Sequence, residues 1–232
     1  MNKIQNISYY NNKDVINMNY NQLVLAYINT FQVDEPIFIE NIKEYIAQFC
    51  KEGNIEKVYE NVNVILNRLN KENIIKTFYK GIYYKPVKNI FGEMPLDKNK
   101  VIEKKYLKDK NGNRKGYVTG AKLFNQIGLT TQVPNIINIV TNECKNYNDY
   151  KNEYLNVVIR KPRIEINDDN YRYIQLFDII NNRDYINIET ENIDEVIYQF
   201  IQDYELDFEK IIKYARETNN KKVLETLYVL AR

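Results

Sequence analysis

Three stretches of helical apolar spacing follow one another between Asn21 and Lys71, and within a few residues the chain switches to strand-like alternation about Lys80-Gly81. That order leaves few folds open, because an amphipathic helix must bury its stripe against a neighbouring element. In NQLVLAYINTF, the residues Leu23, Val24, Tyr27, Ile28 and Phe31 share one face, which predicts about three turns of helix. Ile37-Phe38-Ile39, after Pro36, reads as a strand fragment, and ENIKEYIAQFC then places Ile42, Tyr45, Ile46 and Phe49 together. Gly53 and Asn54 stop that helix, and Asn54 can cap the next, whose stripe is Val58, Val62, Ile65, Leu66 and Leu69. NIIKTFYKGIYYKPV predicts a hairpin with a tight turn at Lys80-Gly81.

The face of the third helix opposite its apolar stripe carries Lys57, Glu60, Asn63, Val64, Asn67 and Lys71, with Arg68 at its edge. Asparagine is a mediocre helix former, yet Asn61, Asn63, Asn67 and Asn70 crowd into this one segment. An asparagine amide donates to and accepts from an adenine edge at once, and a nearby Lys or Arg holds phosphate or reads guanine. Helices followed by a basic two-stranded wing predict a winged helix-turn-helix on double-stranded DNA. In that arrangement Lys57, Asn63, Asn67, Arg68 and Lys71 face the groove, and Lys76, Lys80 and Lys85 hold the backbone. Any small helical unit with a hairpin shares this outline, and some winged helices dock proteins instead. Glu60 repels phosphate unless it accepts a cytosine amino group.

Charge is distributed unevenly behind a net value of +2. From Asn54 to Lys115 there are fifteen Lys or Arg against seven Asp or Glu, a balance of +8. From Glu165 to Glu209 two arginines stand against thirteen acids, a balance of −11. The split suits one half that meets a polyanion and one that does not, although both also read as solvated surfaces. Histidine is absent, which removes imidazole-based triads, common zinc sites and His acid–base pairs. Carboxylate-only magnesium sites pass that filter. The pairs Asp168/Asp169 and Asp194/Glu195, however, stand where helices begin, a position the helix dipole favours. Near Ile164 to Ile166 only Glu165 offers a carboxylate, so the chain is not read as an enzyme, and no cofactor or metal is expected. Cys50 and Cys144 are too few for a disulfide framework, and no run of about 18 apolar residues occurs. A soluble, cytoplasmic protein with no membrane association is expected.

The second half opens on YVTGAKLFNQIGLTTQVP, where glycines precede a lysine. A phosphate-binding loop needs four residues between its glycines, followed by Lys and then Ser or Thr. Here Gly116 and Gly120 enclose three residues, Ala121 intervenes before Lys122, and Leu123 takes the place of the hydroxyl. The glycines therefore read as helix punctuation: Thr119 caps a helix from Gly120 to Ile127, and Gly128 ends it in the left-handed terminal position. A strand NIINIVTN follows, then a strand in YLNVVIRKPRIEI with a second basic cluster of Arg160, Lys161 and Arg163. From Asp168 onward helical stripes recur: Tyr171, Ile174, Phe177 and Ile180, then Ile193, Val196, Ile197, Phe200 and Ile201. Phe208, Ile211, Ile212 and Ala215 define one further helix, and Val223, Leu224, Leu227 and Leu230 another.

The motif Tyr117-Val118-Thr119-Gly120-Ala121-Lys122-Leu123-Phe124-Asn125-Gln126-Ile127-Gly128, then Thr131-Gln132-Val133-Pro134, resembles the core of the bacterial AbiEi-type antitoxins. It is preceded by KGIYYKPVKNIFGEMP at the end of the wing, and the resemblance spans about Asn21 to Arg163. In that family a winged helix-turn-helix precedes a second domain with a Y-x-T-G-A-x-x-L-N-x-L-G-like helix and an extended T-Q-V-P segment. The resemblance implies an antitoxin-domain motif of Tyr117, Thr119, Gly120, Asn125, Gly128, Gln132 and Pro134. It also implies a repressor of its own operon, within a toxin–antitoxin system of the phage-defence, abortive-infection kind. The toxin it counteracts would resemble a nucleotidyltransferase. The acidic helical part beyond Arg163 lies outside the resemblance.

The expected fold class is α+β: an N-terminal extension over 1–20, a winged helix-turn-helix over 21–89, and a second α+β domain over 90–232. That second domain has a small sheet and C-terminal helices, acidic over 168–232. The expected partners are operator DNA and possible contact with a toxin or the toxin's target. Two other readings stand beside this one. In the first, the acidic helical half docks or inhibits a basic or nucleic-acid-binding protein; in the second, the chain is a carboxylate-dependent nuclease or nucleotidyltransferase.

Overall fold

The computed structural model describes residues 19–49, 55–90, 92–146, 148–184 and 193–230. The expected extension through residue 18, Cys50 and the helix stop at Gly53-Asn54 lie outside those residues. The chain is α+β and divides into two compact units, Met1–Val101 and Ile102–Arg232. Among the described residues no helix is long and apolar enough to cross a membrane.

Among the described residues the first unit starts with α1 (Tyr20–Asn29), which opens on a reciprocal capping box. The Asn19 side chain accepts from the Gln22 N–H at 3.0 Å and the Gln22 side chain accepts from the Asn19 N–H at 2.9 Å. Strand β1 (Ile37–Phe38), helix α2 (Ile39–Ala47) and helix α3 (Ile55–Lys71) follow. Leu23, Val24 and Ile28 of α1 and Ile42 and Ile46 of α2 meet Val58, Val62, Ile65, Leu66 and Leu69 of α3 in one core. Each of these residues is buried, and Tyr27, Phe31 and Tyr45 pack partly buried against them, whereas Phe49, placed on the stripe of α2, is 40% exposed just past its end. Helix α3 ends at Asn73, which takes the left-handed conformation (φ 58°) that glycine more often supplies. The Ile74 N–H then donates to the Leu69 carbonyl at 3.0 Å and the Asn73 N–H to that of Asn70 at 3.1 Å.

Strands β2 (Lys76–Tyr79) and β3 (Ile82–Tyr84) form the hairpin, turning at Lys80-Gly81 with Gly81 at φ 79°. Strand β1 pairs antiparallel with β3, giving the order β1-β3-β2. The expected strand triplet is shorter by one residue, because Ile39 already belongs to α2. A second hairpin, β4 (Val87–Asn89) with β5 (Gly92–Met94), occupies KNIFGEMP, which reads from sequence as a plain boundary. Its strands are too short to show alternation. The short helix α4 (Lys98–Ile102) then leads to the junction between the units.

The second unit is built on a sheet of strands β6 (Gly116–Thr119), β7 (Ile137–Thr141), β8 (Tyr150–Asn152) and β9 (Val157–Arg160), ordered β6-β7-β9-β8. Strands β7 and β9 run parallel, and the other pairs are antiparallel. One face is covered by α5 (Gly120–Gln126) and α6 (Tyr171–Asn182), against which α7 (Ile193–Asp203), α8 (Phe208–Glu217) and α9 (Lys221–Leu230) pack. Their core joins Tyr117, Leu123, Phe124 and Val140 to Ile174, Phe177, Ile180, Phe200, Ile211 and Val223. Strand β8 was not foreseen from the sequence, and Phe208, placed on the buried stripe, is 47% exposed at the start of α8.

Gly116 is not helix punctuation. It lies in β6 under a π-helical segment (Glu103–Leu107), where an added Cβ would stand 2.3 Å from the Tyr106 carbonyl oxygen and 2.7 Å from that of Val140. Both obstacles are backbone, so no rotamer change relieves them. Gly116→Ala is expected to destabilise the protein by about 2 to 3 kcal/mol, the upper part of the usual overpacking cost. Chemical denaturation checks it: an unchanged midpoint would show that β6 moves away from Tyr106 at little cost.

Candidate functional site

Burial of one side of α3 decides what its other side can do. Lys57, Glu60, Asn61, Asn63, Asn67, Arg68 and Lys71 are all exposed, and Val64 is 67% exposed among them. The cations expected at this surface divide into two sets. Lys57 and Lys71 are exposed in the first and last turns of α3, and Lys80 is exposed at the hairpin turn. The others are engaged within the fold. The Arg68 guanidinium donates to the Asn21 side chain at 3.1 Å and lies 3.7 Å from the Glu72 carboxylate. Lys76 is half-buried, with its ammonium 2.5 Å from the Asn73 side-chain oxygen and 3.4 Å from Glu93. Lys85 is half-buried beyond β3, and that burial lowers its pKa against the opposing pull of Glu35.

Lys57 and Lys71 are fourteen residues apart, or about 21 Å along a helix rising 1.5 Å per residue. That span exceeds the roughly 12 Å width of a DNA major groove, so the two ammonium groups can approach opposite phosphate rims while the residues between face the bases. The local charge that sequence counting assigned to this region is therefore concentrated on fewer side chains than the count suggests.

In the second unit, the motif residues Tyr117 and Thr119 both point at Asp178, a carboxylate that sequence reading did not single out. Antiparallel and parallel pairing set Tyr117, Val140 and Arg160 side by side in one row, so these side chains share the sheet face covered by α6. From α6, Asp178 accepts hydrogen bonds from the Tyr117 hydroxyl at 3.0 Å and the Thr119 hydroxyl at 2.7 Å. Thr119 stands at the cap position of α5 but makes no capping bond, because its hydroxyl is committed to Asp178. Gln175, one turn earlier on α6, ties down the same strand by donating to the Val118 carbonyl at 2.8 Å.

Burial raises the Asp178 pKa, opposed by the Thr119 and Tyr117 hydrogen bonds and by the charges of Arg160 and Arg163. Burial, reinforced by the Asp178 charge, also pushes the Tyr117 hydroxyl well above the ordinary range and keeps it a donor. Arg160 is itself held by two bonds to Asp149, at 3.0 and 2.9 Å, and Arg163 donates to the Thr218 carbonyl at the end of α8 at 3.2 Å. The second basic cluster is thus largely spent inside its own unit.

The remaining motif residues shape the chain. Gly120 opens α5 at φ 65°, with an added Cβ placed 3.0 Å from the Asn138 amide nitrogen. Gly128 ends α5 at φ 79°, and the Leu129 N–H donates to the Phe124 carbonyl at 2.9 Å. Asn125 donates to the Thr130 carbonyl at 3.2 Å and holds the turn. Gln132 is exposed, Pro134 is half-buried, and Val133 between them is 77% exposed in an extended stretch. Asp194 and Glu195 lie in the first turn of α7, and Asp168 accepts from the Arg114 N–H at 3.2 Å ahead of α6.

Residues 42–149 match a family model described as a family of unknown function, DUF6088. The similarity runs from α2 to the residue before β8, taking in α3, both hairpins and the whole Tyr117–Pro134 motif. It leaves the C-terminal helices outside, Asp178 among them. No curated protein matches the chain.

Removing the Asp178 carboxylate orphans two hydroxyls, so Asp178→Ala is expected to cost about 2 to 3 kcal/mol in chemical denaturation. The pH dependence has a definite sign. A carboxyl whose folded pKa is raised binds its proton more readily when folded, so its contribution to stability improves as pH falls through the folded pKa towards the unfolded one. Wild type should therefore gain on Asp178→Asn as the solution is acidified through that window. A stability difference that stays flat or moves the other way would contradict this assignment.

Proposed function

We propose that this chain is a DNA-binding repressor of its own operon and the antitoxin of a nucleotidyltransferase-like toxin, acting in phage defence in a bacterial cytoplasm. The observation that carries the DNA reading is the outward face of α3, where Asn63, Val64 and Asn67 lie exposed between Lys57 and Lys71. On this reading the first unit is a winged helix-turn-helix. Helix α3 enters the major groove of double-stranded DNA, and the β2–β3 hairpin brings Lys80 to the backbone. Arg68, Lys76 and Lys85 support the unit through intramolecular contacts rather than by touching DNA.

The antitoxin assignment rests on the likeness of Tyr117–Pro134 to the AbiEi-type motif. In it the exposed Gln132 and Val133 are the motif residues best placed to meet a toxin or the toxin's target. A protein-docking reading draws support from α7, which exposes Asp194 and Glu195 beside a Tyr198 that is 59% exposed, and Asp203 in its last turn. Helix α8 carries Lys210, Lys213 and Arg216 against Glu209 and Glu217, so the helical part is not uniformly acidic and the DNA reading is preferred.

Titration of the full chain against its own upstream duplex and a scrambled one, at two salt concentrations, tests the proposal. With three phosphate-binding lysines per chain, the logarithm of the affinity should fall with that of salt concentration at a slope of about −3. Lys71→Ala should reduce that slope by about 1 without altering sequence preference, whereas Asn67→Ala should weaken preference by about 1 to 3 kcal/mol. Equal or absent binding to both duplexes would reject operator recognition.

A further inference from the structure

Granted that α3 enters the major groove, the side chains it exposes also constrain which bases it reads. Asn63 and Asn67 are four residues apart on the helix and therefore neighbours on its surface, and Val64 lies beside Asn67 and Glu60, at i+3 and i−4. Val64 leaves two thirds of its surface in water, so packing gives no reason for a β-branched residue there, and helix propensity disfavours all three. A single exposed valine needs no explanation, but its placement beside Asn67 and Glu60 on this otherwise polar face does.

The chemistry of these groups is selective. An asparagine amide pairs with adenine through N6 and N7, and an aliphatic side chain in the major groove meets the thymine C5-methyl group. Guanine is read most often by a guanidinium or ammonium presented to O6 and N7. The arginine on this face, Arg68, is held by Asn21 and Glu72, while Lys57 and Lys71 stand at the two ends of α3 near the phosphate rims. Glu60, one turn before Val64, is an acceptor only, so it matches the amino group of cytosine and is repelled by phosphate.

We infer that α3 is a reader of A·T pairs: Asn63 and Asn67 take adenine edges, Val64 packs on a thymine methyl, and Glu60 admits a single cytosine beside them. This rests on the DNA-binding reading and adds base identity to it. Val64 is then a specificity-determining residue.

Selection of the full chain on random duplexes, followed by replacement of each enriched thymine with uracil, tests the inference. Uracil keeps the pairing and deletes only the methyl group. Enriched duplexes should contain a run of A·T pairs. Uracil at one position should weaken wild type by about threefold to fivefold, the scale of one buried methyl. Val64→Ala, at an exposed position that leaves the core intact, should bind thymine and uracil duplexes alike. Enrichment of G·C pairs in place of the A·T run, indifference of wild type to the methyl, or a methyl effect that survives Val64→Ala would each overturn the inference and leave DNA binding standing. Failure to enrich any duplex would overturn the DNA-binding reading and the inference with it.

Discussion

The contact of Val58, Val62, Ile65, Leu66 and Leu69 with the first two helices is the constraint on which the proposed activity depends. A helix can bury only one side, and burying this one leaves Asn63, Val64 and Asn67 facing water. The stripe holds five apolar side chains within twelve residues of α3, all buried, so rotating the helix to hide its polar face would expose all five to water. The C-terminal end of the helix is tied as well: Asn73 closes the last turn, and Arg68 reaches Asn21 at the start of α1. Which side chains of α3 face outward is therefore set by the core beneath them.

The second unit solves a different problem. Its sheet is covered by apolar helices, yet a carboxylate from α6 reaches the covered face and is met there by two hydroxyls from β6. Together with the bond from Gln175 to Val118, this fixes the position of α6 along β6, which apolar contact alone leaves free to slide. The motif Tyr117-Val118-Thr119-Gly120 thus joins a strand, a helix start and a distant helix in four residues. The Gln132-Val133 stretch is exposed, with the Gln132 N–H donating to the Thr130 hydroxyl at 3.2 Å.

Local periodicity made the first unit legible. Stripes at helical spacing and the Lys80-Gly81 turn are properties of adjacent residues, and they match the helices and the hairpin. Asp178 was less accessible, because its partners lie 61 and 59 residues away and its neighbours in LFDII mark only a buried helix. A lone acid inside such a run was nevertheless the available signal, since a buried carboxylate requires partners. The same distance explains Thr119, which has a cap residue's identity and position but spends its hydroxyl elsewhere. The β4–β5 hairpin and β8 were missed because three-residue strands carry too little alternation to separate from loop. Counting charges over a segment overstated the basic surface, since Arg68, Lys76 and Lys85 are engaged by residues of their own unit.

Amide-shift mapping of the isotopically labelled full chain with its upstream duplex addresses the central claim most directly, because it reports where contact occurs without altering any side chain. The account predicts that the largest changes fall on the outer face of α3, between Lys57 and Lys71, and at the Lys80-Gly81 turn, with α7 and α8 undisturbed. Changes centred on α7 and its acidic surface, or none on α3, would contradict it.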